Sequence, residues 1–265
     1  MRLKRFIILC ISIGIPFLVS FSSEDYQTGV IELEEASLYF LNLPDGEATL
    51  IKTPQKGYYL INTASAYSKD ALFDKLKHLH IKKIEGLFLT EETDQYAENA
   101  GAIIEEFEVS DLYLSNHSTL RSHYSELDVN LHLLKENDFI NLESDLSVKV
   151  LATNSGGAMT LLLNYGETTI LYMGIDDPVH DLMIQHHQLN PNIIKVANFG
   201  QGYSPSEELL QACDPHVGIV FHEKNELVNE DIINRLEQFW IDVYQLKQVG
   251  TTIVRMNKND YEIIP

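Results

Sequence analysis

The stretch LFLTEETDQYAENAGAI, Leu87 to Ile103, decides the fold. It continues an apolar run from Ile84 to Leu89 that has the length of a buried strand. Thr90 closes the run and a short polar loop follows. From Tyr96 to Phe107 the apolar residues take helical spacing around Gly101. Strand, polar loop and helix follow in this order, and the loop holds neither histidine nor cysteine. It holds Glu91, Glu92, Thr93, Asp94, Gln95 and Tyr96.

Upstream, the segments Ser37–Leu43, Ala48–Thr53 and Tyr58–Asn62 read as strands of a meander. The turn signals Pro44-Asp45-Gly46 and Pro54-Gln55-Lys56-Gly57 separate them. Leu72, Leu76 and Leu79 then mark a helix over Lys69–Leu79. Downstream of the opening stretch, Val109–Leu114 reads as strand, and the signal is mixed from Leu120 to Leu134. Strands follow at Leu146–Ala152, Met159–Tyr165 and Thr168–Tyr172, the last two joined by a turn at Gly166. Helices at Asp181–Gln188, Pro205–Ala212 and Asn229–Phe239 alternate with strands at Ile193–Ala197, Val217–Phe221 and Val243–Leu246. Thr252–Met256 and Tyr261–Ile264 close the chain as strands. Two β-rich halves, each with its own helices, predict an α+β protein: two mixed sheets face to face with helices outside, an αββα four-layer sandwich.

The 265 residues carry 39 acidic and 19 basic side chains, a formal charge of −20. Such a surface repels phosphate backbones and argues against direct nucleic-acid binding. It suits solubility, and it attracts cations or basic partners. Arg2, Lys4 and Arg5 precede an apolar run from Phe6 to Phe21. That pattern predicts a signal peptide or an N-terminal membrane anchor over residues 1–23, a tether over 24–36 and an extracytoplasmic domain over 37–265. Beyond the leader the single cysteine is Cys213, so no disulfide forms within the domain.

Order and spacing together resemble the metallo-β-lactamase-fold domain of competence-type DNA-uptake proteins and related hydrolases. Tyr39 to Ala48, YFLNLPDGEA, is similar to that family's opening F-x-D-V-G-Q-G-D-A. Tyr59 to Ala64, YLINTA, is similar to its L-I-D-T-G, and Leu79 to Thr90 to its L-G-I-K-K-I-D-x-L-x-L-T. Ile193 to Ala197 matches the strand before its H-H-G-S loop. Val243 to Leu246 with Gly250 to Ile253 resembles its close.

The resemblance implies zinc held by histidines and aspartates on loops at strand ends, with an open position for a polarised water. This chain departs at each of those positions. Glu91, Thr93 and Tyr96 stand for the histidines of the first loop and Gln95 for its aspartate. Ile175 stands for the bridging aspartate, and Asn198 and Phe199 for the two histidines of the third loop. The expectation is a pseudoenzyme that lacks zinc and binds an unidentified protein or small molecule. The alternative is a divergent hydrolase with a hard cation, Ca²⁺ or Mg²⁺, on Glu91, Glu92, Asp94, Asp176 and Asp177. A further alternative is an accessory role in DNA uptake. His186 and His187 sit on the wrong side of the Ile193 strand to be ligands and read as surface helix residues. His222 follows a strand with no evident partner.

Overall fold

The first strand shows how the sandwich is built. In Ala36–Phe40 the side chains alternate: Ala36, Leu38 and Phe40 enter one core cluster, while Tyr39 packs against another. A strand buried on both faces must lie in an inner layer, and the other central strands repeat this. The computed structural model describes residues 34–265. The leader and most of the tether expected from the sequence lie outside them.

The strands are β1 (Ala36–Phe40), β2 (Thr49–Lys52), β3 (Tyr58–Ile61), β4 (Gly86–Phe88), β5 (Asp111–Ser115), β6 (Asn130–Leu134), β7 (Phe139–Glu143), β8 (Leu146–Thr153), β9 (Met159–Tyr165), β10 (Thr168–Tyr172), β11 (Ile193–Lys195), β12 (Val217–Val220), β13 (Asp242–Gln245), β14 (Thr252–Met256) and β15 (Tyr261–Ile264). The helices are α1 (Lys69–His78), α2 (Asp94–Ala97), α3 (Ala100–Glu106), α4 (Pro178–Gln185), α5 (Glu207–Cys213), α6 (Glu230–Gln238) and α7 (Leu246–Val249).

One sheet runs β15-β14-β1-β2-β3-β4-β5-β6 and the other β13-β12-β11-β10-β9-β8-β7. Strands β3 to β6 pair in parallel, as do β10 to β13, and the rest of each sheet is antiparallel. Both sheets are therefore mixed, as the sequence predicts. Parallel neighbours need crossovers, which α1, α2 with α3, α4, α5 and α6 supply. The inner faces meet in one cluster through Phe40, Phe88, Val148, Leu161, Ile219 and Val254. Leu72 and Leu76 of α1 and Ile103 of α3 cover one outer face, and Leu209, Ile232 and Leu236 of α5 and α6 cover the other.

Three sequence expectations need adjustment. Leu79 falls just past α1 and is exposed, because the helix ends at His78. Helix α4 begins at Pro178 rather than Asp181: the Asp177 side chain accepts from Val179 N–H at 2.6 Å, and proline is tolerated in a first turn. The mixed segment before Leu134 holds β6, and β7 follows it. Both are edge strands, so their apolar pattern is incomplete.

Among the described residues no helix is long and apolar enough to cross a membrane. Phe88 lies fully buried between the sheets and stacks on Tyr113 at 4.3 Å between ring centroids. Phe88→Ala is expected to lower unfolding free energy by about 3–5 kcal/mol, read from urea titrations at an unchanged m-value.

Candidate functional site

Loops at the C-terminal ends of parallel strands face ligands in open sheets. Here those loops follow β3, β4, β10, β11 and β12, and their floor is a polar network between the sheets. Glu47, just before β2, is fully buried and accepts from the Lys195 ammonium at 2.8 and 2.9 Å. It also accepts from Asn62 Nδ2 at 2.7 Å and the Tyr172 hydroxyl at 2.9 Å. Asn62 Oδ1 in turn accepts from Thr90 N–H at 2.8 Å, which fixes the start of the opening loop. Lys195 is equally buried, with its ammonium 4.3 Å from the centre of the Tyr172 ring. Burial holds its pKa below the ordinary lysine range, against the upward pull of Glu47.

Above this floor stand the residues at the expected ligand positions. Tyr96 and Phe199 pack ring on ring, centroids 5.1 Å apart, and both are buried. Ile175 is buried against Ala152 and Ala158. Asn198, Phe199 and Gly200 take φ values of 45°, 54° and 68° in succession. Left-handed backbone is unfavourable at Asn198 and more so at Phe199, so packing must hold the turn. Burial pushes the Tyr96 phenol well above its ordinary range, reinforced by Glu47, Glu91, Glu223 and Asp176 around it.

The remaining polar residues of the mouth pair with one another. Glu223, on the segment after β12, accepts from Gln95 Nε2 at 2.9 Å and from Gln201 Nε2 at 3.1 Å. It thereby joins the first and third loops. Asn198 donates to Asp176 at 3.0 Å, and Asp176 also accepts the Tyr203 and Ser204 N–H groups at 2.9 Å each. The same segment after β12 is tied down where Lys224 N–H donates to Asp45 at 2.8 Å and Gly46 N–H to the His222 carbonyl at 3.3 Å. Gly46 has φ 88°, and a Cβ there would collide with the Gln95 carbonyl oxygen.

The carboxylates named as hard-cation candidates do not form one ligand set. Glu92 turns to the Thr119 N–H and hydroxyl, Asp94 lies against Glu98, and Asp177 caps α4. Asp176 is taken by the loop after β11. Glu91 accepts from the Glu92 N–H at 3.2 Å: burial raises its pKa first, this hydrogen bond opposes the rise, the Glu92 and Glu47 charges add to it and Lys195 opposes it. Among the described residues no three of His, Cys, Asp and Glu are grouped to hold a metal ion. The donors present do not fit a zinc site, because Ile175 and Phe199 offer no ligand atom and His222, which shares a groove with Phe199, Gln201 and Glu223, belongs to no group of three ligating side chains among the described residues. Thr93 is exposed and precedes α2 without a capping side-chain bond. His186 and His187 lie in the turn after α4. His222 borders a groove of about 440 Å³, where burial and then Lys247 hold its pKa low.

Sequence reasoning missed the floor. Lys195 was a signal, a lone cation inside the aliphatic run Ile193 to Ala197. Glu223 and Gln201 gave none, since their bridge depends on loops distant in sequence.

The architecture is the metallo-β-lactamase fold. No protein-family model matches the sequence, and no curated protein is similar to it in sequence. Among solved structures, the metallo-β-lactamase-fold protein YhfI from Bacillus subtilis superposes with a TM-score of 0.64 at 8% identity, over 84% of this chain and 100% of that one. A mutant of the β-hydroxylase CmlA gives 0.62 at 11% identity, over 84% of this chain and 54% of that one. A subclass B3 metallo-β-lactamase with an active-site glutamic acid gives 0.50 at 15% identity, over 77% of this chain and 87% of that one. At these identities the likeness establishes the fold alone.

Lys195→Met strands a buried carboxylate and is expected to destabilise the chain by about 3–5 kcal/mol in urea unfolding, with much of the loss recovered when Glu47→Gln is added. For Glu91, a folded-state pKa raised above the unfolded value disfavours the folded state once the pH exceeds both. Glu91→Gln should therefore raise the Tm at pH 7, and the gain should vanish as the pH falls below the unfolded pKa of about 4.3.

Proposed function

We propose that this chain is a pseudoenzyme, an exported metallo-β-lactamase-fold domain that acts as a binding or accessory module. One observation carries the reading: side chains at the expected ligand positions pack against or bond to the chain's own residues. Tyr96 packs at a tilt against Phe199, Gln95 holds Glu223, Asn198 holds Asp176, and Ile175 is buried with Ala152 and Ala158. These positions are thus taken up by ring packing and by hydrogen bonds to the chain's own side chains. Export rests on the N-terminal pattern of basic residues and an apolar run.

A divergent hydrolase is the second reading, favoured by Glu91, a partly desolvated carboxylate of the sort that serves as general base. The separate engagements of Glu92, Asp94, Asp176 and Asp177 weigh against a hard-cation site beside it. An accessory role in DNA uptake rests on the ordered motifs shared with competence-type domains, and the charge of −20 opposes direct DNA contact.

Metal analysis of the purified full chain should return substoichiometric zinc. Ca²⁺, Mg²⁺, Mn²⁺ and Zn²⁺ should leave the Tm unchanged, and phosphodiester and β-lactam substrates should turn over at the buffer rate. Stoichiometric metal together with hydrolysis that Glu91→Ala abolishes would overturn the reading.

A further inference from the structure

The outer edge of β6 and the acidic groove at its start lie apart from the mouth. Strand β6 pairs only with β5 in the sheet order, in parallel and without a register shift over its five residues. Asn130 N–H donates to the Ser110 carbonyl at 2.9 Å, and the Leu134 carbonyl accepts from Asn116 N–H at 2.7 Å. Residues 130, 132 and 134 thus direct their backbone groups toward β5. Alternation then turns the N–H and C=O of Leu131 and Leu133 outward, where they have no partner among the described residues. Native edges are commonly blunted by lysine, proline or a bulge. The sequence NLHLL carries none of these, and the Leu133 side chain is exposed.

Beside the start of this edge lies a groove of about 560 Å³, lined by α3, the turn after it and the segment leading into β6. Glu105, Glu108 and Asp128 are exposed on its walls, with apolar surface from Val109, Leu127 and Val129 below and no basic side chain in the lining. The cations nearby are engaged elsewhere: Lys77 pairs with Glu106 at 2.6 Å and Lys83 with Glu85 at 2.9 Å. Helix α3 ends here with no basic residue in its last turn, so its carbonyl end adds negative potential.

We propose that β6 accepts an extended, lysine- or arginine-bearing segment of a partner protein as an added strand, with a basic side chain of that segment seated in the acidic groove. The outward N–H and C=O groups supply main-chain pairing, and the groove selects the charge. A second copy of this chain would bring its own charge of −20 against the same acidic surface, which disfavours self-pairing. The inference names the partner class within the binding-module reading and rests on that reading, but it uses none of the residues at the mouth. Metal and hydrolysis assays therefore judge one, and the experiment below judges the other.

The probe is a short fluorescent peptide alternating lysine and valine, with a glutamate–valine counterpart, titrated into the full chain at about 150 mM salt. The lysine peptide should bind saturably and slow hydrogen exchange at the Leu131 and Leu133 amides, and the glutamate peptide should do neither. Glu105→Gln with Glu108→Gln and Asp128→Asn should weaken binding by about fivefold or more. Leu133→Pro, which removes an outward N–H and no native ladder bond, should weaken it by about tenfold or more while the far-UV spectrum is kept. Glu226→Gln with Glu230→Gln, in the groove near His222, should change nothing. Binding that does not protect β6 amides, or that responds equally to the Glu226 and Glu230 changes, means adventitious attraction to an acidic surface and overturns the proposal. So does absence of binding, and so does light scattering that shows a dimer whose formation itself protects Leu131 and Leu133.

Discussion

The buried pair of Glu47 and Lys195 joins the two halves of the sandwich. Glu47 leads into a strand of one sheet, and Lys195 ends a strand of the other. Two charges removed from water carry a desolvation penalty that their attraction offsets only if the remaining hydrogen-bonding capacity is met. Asn62 and Tyr172 help meet it for Glu47, again one from each sheet. Apolar packing between the sheets is tolerant of small slips, whereas an ion pair with directed donors is not. The network thus fixes how one sheet sits on the other, and Thr90 carries that constraint through Asn62 into the loop above.

The mouth above this floor is partly filled, and a groove of about 440 Å³ opens beside Phe199, Gln201 and Glu223. Tyr96 and Phe199 supply bulk, and the bridge from Gln95 through Glu223 to Gln201 supplies closure. Glu91 is only partly compensated: it is partly withdrawn from water among other carboxylates, with one N–H from Glu92 and the attraction of Lys195 on its side. A carboxylate whose pKa is raised by folding is held at some expense to stability at neutral pH.

Much of the architecture was legible in the sequence because strands buried on both faces leave plain aliphatic runs, as at Ile193 to Ala197, and because turns such as Pro44-Asp45-Gly46 punctuate them. The strands β6 and β7 were not, since an edge position removes the need for a continuous apolar pattern. The positions at which the resemblance expects ligands could be named from motif order. The partners of the residues there could not, because Gln95 and Glu223 are 128 residues apart and nothing local in either segment marks the other. The carboxylates were legible as residues but not as a set, since Asp177 and Glu92 bond to nearby backbone in preference to converging.

The bridge at Glu223 also bears on how such a chain can change over time. Its two amide donors sit on different loops, so neither can be altered alone without leaving a half-buried carboxylate short of a partner. Placing an aspartate at position 95 would set two anions against each other across this bridge. A change at position 95 or 201 alone thus passes through a less stable protein, even where a paired change would be sound. The contact thus ties positions 95, 201 and 223 to one another in any sequence change, while the outer surfaces stay free to diversify.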